Sequence, residues 1–365
     1  MIDSQLSNIQ LAMREAIQNI AVGPDRGRDI SREHAALVME GILDGVVDEV
    51  QAAIFLIALR MKRESMEEFS GILQALKDTS RSITSKVDDV LVLADPFDGY
   101  ARNASMTPFI PAVLAVNELN VVLHGVESVG PKYGVTAQQV YARAGAEVNS
   151  SVEQATTCLE QNGCCYLDQS QYAPKLYALN DLRGRIIKRS ALTTLERILC
   201  PLTGSKSTKL ALGYVHKAYP EIYSKMAFQS GYDSVLLFKG VEGGLAPALN
   251  KPLRRYVFDR SAPAGLATDK QIIETEFAKS ARTSAAPLPL DESSIDRTLD
   301  MGMEALNGKR CTATESLVFA SANILSGLDG SISLDVAVEK VWACLDNGSA
   351  EARFDAFTKA QPCNT

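Results

Sequence analysis

The sequence predicts an α/β protein with a small N-terminal helical-bundle domain and a large α/β domain that has a mainly parallel central sheet. Three observations lead to this prediction. Apolar side chains recur at helical spacing through residues 1–85, short apolar runs flanked by turn residues begin after Val87, and these runs alternate with further helical segments. Strand, loop, helix and strand in that order are typical of a parallel sheet with crossover helices.

The N-terminal region predicts helices between residues 31 and 78. Ser31 is suited to an N-cap, and the apolar residues that follow it recur on one face. Asp48 precedes a second apolar stripe, and Ser65 with Glu68 three residues later has the spacing of a capping box. We therefore expect a helical domain over residues 1–85.

An α/β domain is expected from residue 86 onward. The strand candidates are 90–93, 121–123, 210–215, 234–238 and 255–258, and the helix candidates are 107–119, 136–144, 295–306, 312–326 and 334–345. The stretch 260–292 is rich in Ala, Ser, Thr and Pro and is expected to contain a long loop. Ligands of parallel sheets bind outside the carboxyl ends of the strands, which selects the loops 94–107, 124–132 and 239–246.

The composition is ordinary for a globular chain, with 46% hydrophobic and 22% charged residues, and it excludes disordered and fibrous classes. No apolar stretch approaches the ~20 residues that span a bilayer. The first residues have neither the basic nor the apolar region of a secretory signal, so we expect a cytosolic protein without membrane contact. The seven cysteines have no metal-binding spacing, so we expect reduced thiols, without zinc or disulfides.

A basic segment stands out in this acidic chain, whose net charge is −7. Residues 183–217 contain eight lysines and arginines and one acid, Glu196, which gives them a local net charge of +7. Such a segment is what an anion site needs, whether the ligand is a phosphorylated small molecule or a nucleic-acid backbone. A solvated helix face without a ligand is the alternative interpretation.

Short segments occur along the chain in an order known from one protein family. Residues 31–34 and 53–62 lie in the helical region, Asp98-Gly99 and His124-Gly125 follow the first two strands, and Pro201-Leu202-Thr203 comes later. Together they resemble the anthranilate phosphoribosyltransferases and the related pyrimidine nucleoside phosphorylases. The resemblance implies an active site between the two domains and a homodimer formed through the helical domain. It also implies a helical segment near residues 173–200 that returns to the first domain, so that the α/β domain covers residues 86–172 and 201–365.

The family's motifs for pyrophosphate and metal are altered in this chain. Its Gly-rich loop reads Ala-Asp-Pro-Phe-Asp-Gly over residues 94–99, and Pro96 has no N–H to offer a phosphate. Met106 replaces a serine, and Leu245 and Ala246 stand where the family has a metal-binding Asp-Glu pair. Because magnesium requires oxygen ligands, we expect no metal site, and magnesium as a cofactor only if transferase activity is retained.

The remaining polar residues of the cleft loops are the candidates for an anion site. Phosphate or another anion is expected to contact Asp98, Gly99, Arg102, Asn103, Ser105, Thr107, His124, Gly125, Ser128 and Lys132. A basic groove is expected from Arg183, Arg185, Lys188 and Arg189, with Tyr100 or Tyr133 stacking on bases. The candidates for catalytic residues are His124 and Glu242, although a lone histidine is more often structural.

Three functions remain open at this stage. The segments 103–108 and 124–126 resemble a divergent branch of anthranilate phosphoribosyltransferase-like proteins for which nucleic-acid binding has been proposed, so the first function is binding of single-stranded nucleic acid or another extended anion. The pI of 5.2 and the 6% aromatic content oppose it. The alternative is a glycosyl or phosphoribosyl transferase that uses phosphoribosyl pyrophosphate or a related donor, including anthranilate phosphoribosyl transfer in tryptophan biosynthesis. A scaffold or regulatory protein is the third.

Overall fold

The N-terminal region is helical in the computed structural model, which describes residues 2–23, 25–262, 269–273 and 294–359. Its helices are α1 (Ile2–Ile20), α2 (Arg32–Leu43), α3 (Glu49–Lys62) and α4 (Met66–Asp78). The predicted caps are confirmed, since Ser31 accepts a hydrogen bond from the first turn of α2 and Ser65 forms a capping box with Glu68. A Cβ on Gly71 would lie 2.1 Å from the Arg32 carbonyl oxygen, so α2 and α4 pack closely because position 71 is glycine.

The main sheet confirms the predicted α/β class. Its strands are β2 (Asp89–Ala94), β3 (Val121–Gly125), β4 (Cys164–Asp168), β6 (Ser207–Tyr214), β7 (Ser234–Lys239), β8 (Leu253–Asp259) and β9 (Asp269–Ile273). Within the described ranges their order is β4-β3-β2-β6-β7-β8-β9. The strands from β4 to β7 are parallel, whereas β8 and β9 are antiparallel. A short separate pair joins β1 (Ile83–Thr84) to β5 (Leu202–Thr203).

Twelve further helices follow the first strands within the described ranges. They are α5 (Ile110–Val116), α6 (Ala137–Arg143), α7 (Val152–Asn162), α8 (Gln169–Tyr172), α9 (Pro174–Tyr177), α10 (Asn180–Ile186), α11 (Ala191–Leu195), α12 (Tyr219–Ser230), α13 (Ile295–Leu306), α14 (Thr312–Leu328), α15 (Leu334–Asp346) and α16 (Ser349–Thr358). Helices α10 and α11 contact α3 of the N-terminal region. The helix predicted over 107–119 is shorter, because Pro108 and Pro111 leave a 3₁₀ turn at Thr107–Phe109 before α5 begins.

Side chains of β2 show how the two cores form. Val90 and Val92 point into a core that continues into the helical region, whereas Leu91 and Leu93 point into a second core on the opposite face. Successive side chains of a strand alternate between faces, so a run of apolar residues is required where both faces are covered. This is why the strand appears in the sequence as a continuous apolar run.

The structure contains one strand that the sequence did not predict, and another within the predicted loop 260–292. Strand β4 was not predicted, because Tyr166 and Asp168 interrupt its apolar pattern, although all five of its residues are buried. Most of the predicted loop 260–292 lies outside the described residues, and within it Asp269–Ile273 forms β9. None of the helices in the described ranges is long and apolar enough to cross a bilayer.

Candidate anion-binding cleft

A cleft runs along the carboxyl ends of the parallel strands, where the sheet meets the helical domain. Its inner cavity has a volume of about 520 Å³ and is lined from both domains, by Arg60, Arg102, Lys132, Arg189, His216 and Tyr219 among others. Its outer cavity, of about 600 Å³, is lined by residues that include Asn103, Lys217, Lys239, Lys251 and Arg254. Gly240 lines both cavities, so the two cavities adjoin.

The carboxylate of Glu242 lies in the inner cavity within a ring of hydrogen-bond donors. Its Oε1 accepts hydrogen bonds from the backbone N–H groups of Arg102 (2.9 Å) and Asn103 (3.1 Å) and from Asn103 Nδ2 (3.2 Å). Its Oε2 accepts hydrogen bonds from the Ala101 N–H (3.3 Å) and from Lys132 Nζ (2.9 Å). Successive backbone N–H groups with a lysine are typical of phosphate sites, and here they hold a carboxylate.

The conformation and charge of Glu242 are both unusual for a loop residue. Its φ of 51° and ψ of 13° lie in the left-handed region, which few residues other than glycine adopt. Its side chain is 3% exposed. Burial alone raises the pKa of this carboxyl, but the ion pair with Lys132 and the N–H groups of Arg102 and Ala101 outweigh burial and lower the pKa below its ordinary value. Glu242 is therefore an anion at neutral pH.

Asp98 is the second acid at this end of the sheet. Its buried carboxylate accepts hydrogen bonds from Arg189 Nε (2.9 Å) and Nη2 (2.5 Å), and its Oδ1 lies 3.6 Å from Lys132 Nζ. Lys132 therefore bridges two acids, Asp98 and Glu242. Gly99 has a φ of 70°, and a Cβ there would lie 2.3 Å from the Gly134 carbonyl oxygen, so the turn that presents Asp98 requires glycine.

Arg197 fixes the backbone beneath the cleft. Its Nη2 donates hydrogen bonds to the carbonyl oxygens of Ala94 (2.9 Å), Gly213 (3.1 Å) and Gly243 (3.0 Å), and its Nη1 donates to the Tyr223 hydroxyl (3.2 Å). These carbonyls belong to the end of β2, the end of β6 and the turn that carries Glu242. The sequence pattern showed Arg197 only as one charge in the basic segment, because its partners come from distant parts of the chain.

Two hydroxyls predicted to bind an anion are inside the protein, which corrects that prediction. Ser105 and Thr107 are 5% and 0% exposed, and their hydroxyl oxygens are 2.8 Å apart. The Ser105 hydroxyl also accepts a hydrogen bond from the Thr107 N–H, so the pair closes the turn before the 3₁₀ segment. Neither side chain is among those that line the two cavities.

His124 is also buried, so the structure gives it neither an anion-binding nor a catalytic position. It is 1% exposed, its Nδ1 lies 2.9 Å from the Tyr172 hydroxyl, and the Phe97 ring packs edge-on against it. Burial, assisted by the positive charge of Arg197, lowers the pKa of His124 to about 3. The imidazole is therefore neutral at physiological pH. Phe97 covers one side of the imidazole ring.

The remaining loop candidates divide by exposure. Gly125 and Ser128 are half-buried and are not among the residues that line the cavities. Tyr100 is 2% exposed and donates a hydrogen bond to Asp95 Oδ1 (2.7 Å), so the prediction that it stacks on bases is wrong. Tyr133 is 59% exposed and remains available for stacking.

The residues predicted as a basic groove do not share one surface. Arg183 is a correction, since it is 4% exposed and both of its terminal nitrogens lie 2.7 Å from Glu196 oxygens in the interior. Arg185 is exposed and pairs with two acidic side chains at 2.7 and 2.8 Å. Lys188 is exposed and has no acidic partner in the part of the chain that the structure describes. Only Arg189 lines the inner cavity.

The rest of the basic segment divides between opposite ends of the sheet. Lys206 pairs with Asp88 (2.8 Å), and Lys209 lines a separate cavity; both lie where β6 begins. Lys217 follows β6 and lines the outer cavity. The local charge of +7 is therefore not the charge of the cleft.

Other cations of the outer cavity come from outside the basic segment. Lys239, Lys251 and Arg254 are exposed, and no carboxylate of the described ranges pairs with them. Lys239 ends β7, so the rule for parallel strands already pointed to it. Lys251 and Arg254 lie where β8 begins, and β8 is antiparallel to β7, so its start lies beside the end of β7. A prediction that considered only strand ends could not find them.

The residues of the cleft do not fit a magnesium site. Leu245 and Ala246, where the family resemblance led us to look for metal-binding acids, are apolar and buried. Asp98 and Glu242 supply carboxylates, but both are already paired with cations. No group of three or more His, Cys, Asp or Glu residues within the described ranges has a metal-binding arrangement.

Two parts of the sequence match the two domains of one known family. Residues 14–80 match the helical bundle domain of the glycosyl transferase family, and residues 101–351 match its a/b domain. An uncharacterized protein of Aquifex aeolicus is 30% identical over 62% of this chain and 68% of its own length. The anthranilate phosphoribosyltransferase of Sphingopyxis alaskensis is 23% identical over 92% of this chain and 97% of its own length.

Solved structures show the same architecture. The anthranilate phosphoribosyltransferase of Thermus thermophilus superposes with a TM-score of 0.72 at 16% identity, over 95% of this chain and 98% of that one. The enzyme of Saccharomyces cerevisiae in complex with PRPP and Mg gives a TM-score of 0.73 at 14% identity, over 94% and 96% of the two chains. Because both family domains match and together cover most of the sequence, this chain belongs to the glycosyl transferase family, glycosyltransferase family 3, and has the anthranilate phosphoribosyltransferase fold.

Proposed function

We propose that this chain binds single-stranded nucleic acid along the cleft formed by the inner and outer cavities. The observation that carries the proposal is a group of exposed cations that line the cleft without an acidic partner in the described ranges: Arg102, Lys217, Lys239, Lys251 and Arg254. Like charges that lie close together repel one another, so this arrangement favours a bound polyanion. Phosphates that neutralise such cations also release counterions from the nucleic acid.

The dimensions of the cleft suit an extended ligand better than a single small molecule. The two cavities have comparable volumes, about 520 and 600 Å³, and each is as large as a typical small-molecule pocket. A ligand that occupies both must continue past Gly240, as a chain of linked nucleotides can. Tyr219 and His216 line the inner cavity and supply rings on which bases can stack.

The net charge of −7 is a sum over the whole chain, whereas the exposed cations that line the cleft have no acidic partner in the described ranges. At about 0.1 M salt, charges in solvent are screened beyond roughly 10 Å, so a phosphate in the cleft responds mainly to the cations beside it. The acidic composition supports selective binding through one surface rather than general adhesion to nucleic acid.

Phosphoribosyl transfer is the alternative, and it is supported by the fold and the family. The cleft residues favour it less, because the buried apolar side chains of Leu245 and Ala246 provide no metal ligands. Transfer from a pyrophosphate donor requires that the charge on the leaving pyrophosphate be neutralised. Phosphoribosyl pyrophosphate with magnesium is therefore used as a competitor in the test of nucleic-acid binding.

We also infer a homodimer formed through the helical domain. Val50, Ile54 and Met61 of α3 are 66%, 42% and 72% exposed, and their spacing places them on one face of the helix. An exposed apolar face of this kind marks an interaction surface. Sedimentation analysis of the native chain should give a dimer, and Ile54→Glu should give a monomer; a native monomer would overturn the inference.

The test of nucleic-acid binding is a fluorescence-polarisation titration with a labelled single-stranded oligonucleotide at low and moderate salt. We expect saturable binding that weakens steeply with salt and that phosphoribosyl pyrophosphate with magnesium does not displace. The absence of binding at low salt would overturn the proposal. Displacement by the competitor, together with release of pyrophosphate when anthranilate is added, would establish the transferase alternative.

A further inference from the structure

We propose that Glu242 is an intramolecular occupant of a phosphate-binding subsite, and that a phosphate group of the ligand displaces its carboxylate. The subsite consists of the backbone N–H groups of Ala101, Arg102 and Asn103, the Asn103 side-chain amide and the Lys132 ammonium. This subsite lies in the cleft described above, so the inference rests on the proposed function. It adds one position in the cleft at which the Glu242 carboxylate competes with the ligand.

The number of donors exceeds what a carboxylate accommodates well. Five hydrogen bonds converge on Glu242, and three of them reach the single oxygen Oε1. A carboxylate oxygen has two lone pairs, so one of the three bonds to Oε1 lacks an acceptor site of its own. A phosphate group has more acceptor oxygens and the same sign of charge. The same donors are therefore better matched by phosphate than by Glu242.

The carboxylate has room to leave. Glu242 lines the inner cavity, which has a volume of about 520 Å³ and is also lined by Tyr219. Arg197 holds the carbonyl oxygen of Gly243, so the turn stays in place while the side chain of Glu242 rotates. The left-handed backbone of Glu242 costs free energy, so its ion pair with Lys132 is maintained against an unfavourable conformation.

The charge balance after displacement also favours an exchange of anions. Lys132 lies 3.6 Å from Asp98 as well as 2.9 Å from Glu242, so it keeps a partner when the carboxylate moves. An incoming phosphate replaces the negative charge of the Glu242 carboxylate as the acceptor of the N–H groups. The ligand class is a phosphate monoester or diester, which a free phosphorylated molecule or a nucleic-acid backbone can supply.

The experiment compares the native chain with Glu242→Gln and Glu242→Ala. Phosphorus NMR titration with inorganic phosphate tests the subsite alone, and fluorescence polarisation with a single-stranded oligonucleotide tests it within the whole cleft. Hydrogen bonds to a charged acceptor are stronger than those to a neutral one, so we expect both variants to bind each probe about tenfold more tightly. Thermal denaturation checks that each variant is folded. If the Ala variant is unfolded, the test rests on the Gln variant, which preserves the shape of the side chain.

The matched control is Glu221→Gln on α12. Glu221 is exposed and, among the residues that the structure describes, its carboxylate pairs with Lys225 four residues along, so the substitution changes the net charge equally without touching the subsite. We expect no change in either titration. Adding Lys132→Ala to Glu242→Gln should remove the gain, because the phosphate then lacks its ammonium partner.

The outcomes separate this inference from the proposed function. If the Glu242 variants gain phosphate affinity but no variant binds the oligonucleotide, the subsite stands and the nucleic-acid function is wrong. If the native chain binds the oligonucleotide and the Glu242 variants behave like Glu221→Gln with both probes, the function stands and the subsite is overturned. Weaker phosphate binding by a folded Glu242→Gln variant would also overturn it.

Discussion

Arg189 and Asp98 are 91 residues apart in the chain, yet the Arg189 guanidinium donates two hydrogen bonds, of 2.9 and 2.5 Å, to one Asp98 oxygen. Arg189 lies just before α11 in the helical segment that contacts α3, and Asp98 lies in the loop after β2. The pair therefore joins that helical segment to the end of the sheet at the inner cavity. The Asp98 side chain is 2% exposed and that of Arg189 is 48% exposed, so the carboxylate depends on the pair more than the guanidinium does.

Removal of this guanidinium should destabilise the protein. Arg189→Ala leaves the buried Asp98 carboxylate with Lys132 at 3.6 Å as its nearest cation. We expect the free energy of unfolding to fall by about 1–2 kcal/mol, because Lys132 compensates part of the loss. The measurement is urea denaturation. Lys188→Ala is the matched control, since Lys188 is exposed without an acidic partner in the described ranges. Equal effects of the two substitutions would contradict the role given to the pair.

Loss of the buried ion pair between Arg183 and Glu196 should lower the stability of the protein more than it affects binding of the oligonucleotide. Among the described residues, Arg183→Met leaves Glu196 with Gln169 Nε2, at 3.2 Å, as its side-chain donor. We expect a loss of about 3–5 kcal/mol in the free energy of unfolding, because an uncompensated buried charge remains.

Two further variants test that explanation. Arg183→Met combined with Glu196→Leu should recover much of the lost stability, because the buried charge is removed with its partner. Arg185→Met should change stability little, because Arg185 is exposed and its pairs are screened by solvent. A folded Arg183→Met variant as stable as the native chain would show that the pair is not a stabilising element.

The neutral buried imidazole of His124 should make stability depend on pH. Its pKa is lowered from 6.5 to about 3, so the unfolded chain binds a proton between these values and the folded chain does not. This contribution to stability is present above pH 6.5 and is lost as the pH falls toward 3, by at most about 1.4 kcal/mol per pH unit.

Thermal denaturation between about pH 7.5 and about pH 5.5 measures this dependence. His124→Gln should reduce the slope, because glutamine does not titrate. His216→Gln is the control, since His216 is exposed beside the cleft and should leave the slope unchanged. Parallel curves for the native chain and the folded His124→Gln variant would be inconsistent with a neutral buried histidine.

Cations at the start of β8 and the end of β7 should contribute to the salt dependence of oligonucleotide binding. Lys239→Ala and Lys251→Ala each remove one phosphate contact from the outer cavity, so each should reduce the slope of log K against log salt by about 0.7. Lys86→Ala is a control of equal charge, because Lys86 precedes β2 at the opposite end of the sheet. If Lys86→Ala changed the slope as much as Lys239→Ala, the cleft would not be the binding surface.

Local pattern was sufficient for much of the fold. Ser31 and Ser65 cap helices as their positions predicted, because capping depends only on residues within one turn. The apolar runs at 90–93 and 121–123 are strands, because a strand covered on both faces needs apolar residues throughout. The resemblance of the cleft loops to one family then gave the domain architecture, and it located Asp98, Arg102 and Lys132 at the cleft.

The site itself depended on tertiary structure. Arg183 and Arg189 lie six residues apart in one basic segment, but one is buried against Glu196 and the other faces the cavity. Glu242 reaches the N–H of Arg102 across 140 residues of sequence. Whether a charged side chain is buried, paired or open to a ligand is decided by the groups that packing brings to it. The order of the predicted strands and the family resemblance therefore located the cleft, whereas long-range packing decided which charges in it are already paired and which are free to bind.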